Sequence, residues 1–125
     1  MHIATNTSSG KIDISSEKIT AEIAKEFSNI LENGDIVFLI GDMGVGKTTF
    51  VRYLINEFQK KNNFELTEVT SPTFNILNEY QVGDLNIKHY DLYRLKELNE
   101  IKNLGILDDT KDSLILIEWP TLLLN

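Results

Sequence analysis

Residues 41–48 read Gly-Asp-Met-Gly-Val-Gly-Lys-Thr, and this short run constrains the fold more than any other part of the chain. It matches G-x-x-x-x-G-K-[ST], a phosphate-binding loop that works only between a strand and a helix. Both flanks agree. Asp35-Ile36-Val37-Phe38-Leu39-Ile40 reads as a buried strand, and Thr48 to Ile55 carries apolar residues at helical spacing. Gly41, Gly44 and Gly46 let the backbone turn tightly and aim its N–H groups inward. With the N-terminus of the following helix, those donors suit phosphate oxygens. Lys47 adds a point charge for the β and γ phosphates, and Thr48 a hydroxyl for Mg²⁺. Asp42, Met43, Val45 and Thr49 complete the nucleotide-binding segment. A plain glycine turn before a helix would leave the Lys47-Thr48 pair without a reason.

The chain has 125 residues, enough for one domain with a core that needs no covalent staples. It has no cysteine, which excludes disulfides and thiolate metal sites. Its apolar runs are too short to span a bilayer, and its first residues lack a secretory pattern. A cytoplasmic protein with no membrane partner is the expectation. The net charge of −7, with Arg52 and Arg94 as its arginines, argues against gripping nucleic acid unaided.

Residues 1–10 are small and polar and read as a frayed or edge segment. Lys11 to Ile14 suggests a short strand. Ser15 or Ser16 suits a helix N-cap, Ile19, Ile23, Phe27, Ile30 and Leu31 recur at helical spacing, and Asn33-Gly34 is a stop signal. The helix after the phosphate loop runs to about Lys61. Thr70-Ser71-Pro72-Thr73 is a loop, because the residue before proline avoids the α region. Phe74–Tyr80 and Asn86–Tyr93 are strand candidates joined by a Gly83-Asp84 turn. Glu97–Leu104 is a short helix ending at Gly105, and Leu114–Ile117 fits a central buried strand. Strands alternating with helices predict an α/β fold of P-loop NTPase type, with a mostly parallel sheet flanked by helices. Ligands in such sheets bind at the carboxyl ends of the strands.

A phosphate loop needs a second Mg²⁺ anchor, usually a carboxylate at the end of a neighbouring strand. Glu118 directly follows the apolar run 114–117. Asp91 ends another strand candidate, where it could orient the attacking water or serve only to cap a loop. His89 falls on the same face as Asp91 if the strand is regular, as a packed histidine or a catalyst. Thr73 occupies a loop that could order on the γ-phosphate and Mg²⁺. Trp119 is either core or a face for a partner.

Taken in order, these segments resemble the TsaE (YjeE) family of bacterial ATPases. Gly41 to Thr49 resembles its G-D-x-G-x-G-K-T-T, and Thr70-Ser71-Pro72-Thr73-Phe74 its S-P-T-[FY] switch. His89 to Leu95 resembles its H-x-D-x-Y-R-L box, and Ile117-Glu118-Trp119-Pro120 its [IV]-E-W-P box. The resemblance runs from about residue 15 onward. It implies a slow Mg²⁺-dependent ATPase that acts in threonylcarbamoylation of the adenosine beside the anticodon. The implied partners are TsaD, which transfers the group, and TsaB, which supports it, with tRNA met only through the complex. The candidate catalytic residues are Lys47, Thr73, Asp91 and Glu118, and the candidate Mg²⁺ ligands Thr48 and Glu118. It also implies an adenine pocket built partly on the N-terminal segment, where Ser15, Ser16 and Glu17 stand. Relatives of this kind carry further strands after the E-W-P box, whereas this sequence ends at Leu122-Leu123-Leu124-Asn125.

Two other functions compete. A small nucleotide or metabolite kinase would need an arginine-rich lid, which Arg52 and Arg94 can hardly build. A non-catalytic, ATP-dependent assembly switch would use the same residues. A GTPase fits less well, since neither N-K-x-D nor D-x-x-G occurs.

Overall fold

A computed structural model describes residues 2–5, 9–11, 17–41, 46–72, 75–106, 108 and 110–120. The strands are β1 (His2–Thr5), β2 (Ser9–Lys11), β3 (Ile36–Ile40), β4 (Leu77–Val82), β5 (Leu85–Asp91) and β6 (Leu114–Glu118). The helices are α1 (Glu17–Ser28), α2 (Lys47–Lys61) and α3 (Leu98–Leu104). The strands form one sheet in the order β2-β1-β3-β6-β5-β4. β6 lies between β3 and β5 and is parallel to both. β1 runs against β2 and β3, and β4 against β5. By direction β2, β3, β6 and β5 agree, which bears out the mostly parallel α/β expectation. The centre β3-β6-β5 is parallel, and the reversed strands β1 and β4 flank it on either side.

Side-chain alternation divides the core. On β6, Leu114 and Leu116 enter one cluster, and Ile115 and Ile117 the other. The first cluster joins Val37 and Leu39 of β3 to Phe50, Val51, Leu54, Ile55 and Phe58 of α2 and Ala24 of α1. Phe27 and Phe50 meet edge to face at 5.8 Å, tying the two helices together. The second cluster packs Ile101 of α3 against Tyr90, Ile115 and Ile117. All five residues of β6 are buried, as a strand covered on both faces must be.

The boundaries differ from the sequence reading in several places. The opening segment is not frayed at its start: His2–Thr5 pairs with β3, and Ile3 is buried in the core. The edge strand is Ser9–Lys11; of the expected Lys11–Ile14, residues 12–14 lie outside the described residues. α1 stops at Ser28, whose hydroxyl donates to Lys25 O, so Ile30 and Leu31 lie beyond it. Gly34 does not cap that helix; with φ +100° it turns the chain and donates its N–H to Ser113 O, beside the start of β6. The hairpin strands begin and end a residue or more from their expected limits. Their turn falls at Gly83-Asp84 as expected, with Val82 opposite Leu85. α3 matches closely: Glu97 and Glu100 form a reciprocal capping box, and Gly105 closes the helix at φ +66°.

Candidate functional site

β3, β5 and β6 bring three chain segments to one sheet edge. Gly41 follows the last residue of β3, Asp91 ends β5 and Glu118 ends β6. Leu39 and Asp91 are the register partners of Glu118 on either side. Counting back by twos, Glu118 shares the face of Leu116 and Leu114, and Asp91 that of His89 and Ile87. That face is the one α2 covers, so the carboxyl ends of β5 and β6 point under the helix that starts at Lys47.

Gly46 stands at the N-cap of α2 with φ +87°, a left-handed conformation that glycine adopts without strain. It accepts the first helical bond, from Phe50 N–H. Lys47 is 5 % exposed. Its Nζ donates to Gly41 O at 2.5 Å and lies 3.4 Å from the centroid of the Trp119 ring. A cation so far out of water needs such partners, and an indole face is the best of the aromatic ones. Thr48 Oγ1 donates to Glu118 Oε2 at 3.4 Å, a weak bond across 70 residues of sequence. His89 Nε2 lies 2.5 Å from the same oxygen. Glu118 is 3 % exposed, and these two groups offset the loss of water around its carboxylate.

Asp91 is buried too. Its Oδ1 accepts the Tyr93 N–H at 3.0 Å, so it caps the turn that leaves β5. Leu92 N–H then bonds Glu118 O at 3.0 Å, locking that turn to the end of β6. The Tyr93 ring lies 4.9 Å from that of Trp119, centroid to centroid. Trp119 itself has φ +58°, and Ile76 has φ +68°. Left-handed backbone at non-glycine residues costs roughly 1–3 kcal/mol and collects at functional sites. Both residues flank this one: Trp119 follows Glu118, and Ile76 O accepts the Asp91 N–H at 2.9 Å.

Of the residues named from sequence, the structure thus gathers Gly41, Gly46, Lys47, Thr48, Asp91 and Glu118, and places Thr49 in the first turn of α2. Asp42, Met43, Gly44, Val45, Thr73, Ser15 and Ser16 lie outside the described residues. The bond from His89 to Glu118 was not foreseen; the even spacing puts His89 and Asp91 on one face but does not reach across to β6. The stacking of Lys47 on Trp119 had no signal in the sequence. A polar groove of about 390 Å³, lined by Glu79, Tyr80, Asn86, Lys88, Asp112 and Ser113 among others, lies toward the opposite ends of β5 and β6.

These donors fit a nucleotide with its cation. A buried lysine and a left-handed glycine at a helix N-terminus suit phosphate, and a hydroxyl beside a buried carboxylate suits Mg²⁺. Among the described residues no three His, Asp or Glu side chains converge as a metal cage. A cation held jointly by one or two protein oxygens and by phosphates needs none.

The comparisons with known proteins agree with this architecture. The family model described as "Threonylcarbamoyl adenosine biosynthesis protein TsaE" matches residues 14–125. The chain belongs to the TsaE family. Among its TsaE relatives, the tRNA threonylcarbamoyladenosine biosynthesis protein TsaE of Rickettsia typhi is 46% identical over 110 residues, which cover 88% of this chain and 74% of that protein. The protein of the same name from Borreliella burgdorferi is 38% identical over 116 residues, covering 91% and 80%. In Aquifex aeolicus the figures are 31% over 109 residues, covering 87% and 75%. The crystal structure of Bacillus subtilis YdiB superposes with a TM-score of 0.57 at 26% identity, covering 98% of this chain and 68% of that one.

Proposed function

We propose that this TsaE-family chain binds ATP with Mg²⁺ and hydrolyses it slowly in support of threonylcarbamoyladenosine formation on tRNA. The observation that carries the reading is the meeting of Thr48 and Glu118 above the end of the central strand, with Lys47 buried beside them. Two segments far apart in sequence supply the hydroxyl, carboxylate and ammonium that a phosphate-loop site requires. The relatives' shared name supplies the pathway.

In this reading the backbone around Gly41 and Gly46 and the Lys47 ammonium hold the phosphates. Thr48 and Glu118 would hold Mg²⁺, which when bound offsets the negative charge on the phosphate oxygens. Asp91 orients the hydrolytic water, with Thr73 assigned to the γ-phosphate. The water oxygen bonds to the γ phosphorus as the bond to the bridging oxygen breaks. ADP leaves with that oxygen, and the protons of the water pass to inorganic phosphate and solvent. Arg52 pairs with Glu17 at 3.6 Å, and with Arg94 as the other arginine the chain is poorly supplied for the arginine lid of a kinase, which favours hydrolysis.

TsaB and TsaD are the partners we assign, in the cytoplasm, with tRNA reached through them. No helix of the described residues is long and apolar enough to cross a membrane. ATP turnover, measured with the chain alone and with TsaB and TsaD, tests the proposal. Slow turnover that the partners raise and that Glu118→Gln abolishes is expected. Turnover unaffected by Glu118→Gln would remove the hydrolytic assignment.

A further inference from the structure

His89 sits on β5 two residues before Asp91, on the α2 side of the sheet, with no solvent exposure. Its sheet partner on β6 is Leu116, and the residue two places before it on that face is Ile87. An apolar side chain would suit that setting. The imidazole instead places Nε2 2.5 Å from Glu118 Oε2. Among the described residues its second nitrogen, Nδ1, has no hydrogen-bond partner. A neutral imidazole has one N–H and one lone pair. A lone pair cannot face a carboxylate oxygen at that distance, so the N–H belongs on Nε2. Nδ1 then carries the lone pair, which is cheaper to bury without a partner than an N–H donor would be.

The donated bond has a directional consequence. Thr48 Oγ1 approaches the same Oε2 from the helix side, at 3.4 Å. One bond comes from the sheet interior and one from the start of α2, and together they oppose rotation of the carboxylate about its last carbon–carbon bond. A carboxylate that must take a cation beside Thr48 gains from being held in this way before the cation arrives. We infer that His89 is a positioning residue for Glu118, holding the carboxylate in the orientation that takes Mg²⁺ together with the nucleotide. The inference rests on the assignment of Glu118 to Mg²⁺ made above.

The test is a Mg²⁺ titration of the ADP-bound full chain, for the unmutated protein, His89→Leu, His89→Gln and Glu118→Gln, with ADP affinity also measured without metal. Leucine fills the space and donates nothing. It should weaken Mg²⁺ binding by about 10- to 100-fold, the usual effect of losing a ligand's supporting bond, while metal-free ADP affinity stays the same. Glutamine reaches the same point with an amide N–H and should restore most of the loss, which a merely structural role for the ring would not give. Unchanged Mg²⁺ affinity in His89→Leu, with Glu118→Gln weakened, overturns the positioning role alone. Unchanged affinity in Glu118→Gln overturns the metal assignment beneath it. Should the leucine variant not fold, ring ¹⁵N signals of the unmutated protein decide: a proton on Nε2 and broadening by Mn²⁺ with ADP support the role, and an Nε2 without a proton overturns it.

Discussion

Lys47 shows how much a single side chain carries. It is buried, and it holds to one carbonyl and one indole face. At the N-terminus of α2 the ammonium is placed to add a charge-assisted contact to phosphate oxygens. Lys47→Ala should therefore weaken ATP binding by roughly 2–4 kcal/mol, the range for losing a buried charge-assisted contact. Calorimetric titration checks this, and unchanged affinity would remove the phosphate assignment. Asp91 calls for a subtler replacement because it also caps a turn. Asparagine keeps a carbonyl oxygen for the Tyr93 N–H, removes the charge and exchanges the second acceptor oxygen for an NH₂ donor. Asp91→Asn should fold and bind ATP normally while turning over more slowly. Normal turnover would leave Asp91 as a turn residue only. The positions of Gly41, Lys47, Thr48 and both acids were legible because each is tied to the end of a recognisable strand or the start of the helix that follows. The bond from His89 to Glu118 was not, since it depends on how β5 is registered against β6, and no local pattern states that.

Elements built from strong local signals came out where the sequence put them. α2 has an unbroken helical pattern ended by Asn62-Asn63, and α3 has a capping box and a glycine stop. β6 is an apolar run between polar neighbours. The misses arose where tertiary contacts overrode weak local preference. β1 has four residues and little apolar alternation, so its place in the sheet comes from pairing with β3 and from burying Ile3. α1 ends early because the chain must turn at Gly34 to join the start of β6. β6 also separates scaffold from site. Leu116 is fully buried on the α2 face, two residues before Glu118. Leu116→Ala should destabilise the protein by about 2–5 kcal/mol. That is a large share of the 5–15 kcal/mol typical of a whole domain. Denaturant titration should show the loss, while the fraction still folded binds ATP with unchanged affinity. A large drop in that affinity would mean that the strand end moves with its core.

Across the whole molecule, charge and site placement point to work done in company. With a net charge of −7 the chain has no means of collecting the many phosphate contacts that hold a tRNA, so free tRNA should bind weakly at physiological salt. The edge proposed to take the nucleotide also carries an aromatic pair that a bound phosphate would disturb. Lys47 rests on Trp119, Trp119 packs at a tilt against the half-exposed Tyr93, and Trp119 sits on left-handed backbone. Phosphates that draw Lys47 away take a cation from the indole face, and so alter the footing of two aromatic rings at the surface. Aromatic side chains with one face packed and one face wet are common anchors for protein partners. A TsaB–TsaD pair should therefore associate with this chain to different extents with ATP, with ADP and with no nucleotide. Trp119→Ala should leave ATP binding largely intact, because Lys47 keeps the Gly41 carbonyl and gains the phosphates, and it should weaken the association. Light scattering on mixtures of the three proteins under the three nucleotide conditions checks both statements. Identical assembly in all three conditions, or tight tRNA binding by the isolated chain, would show that the aromatic pair does not report the nucleotide to a partner.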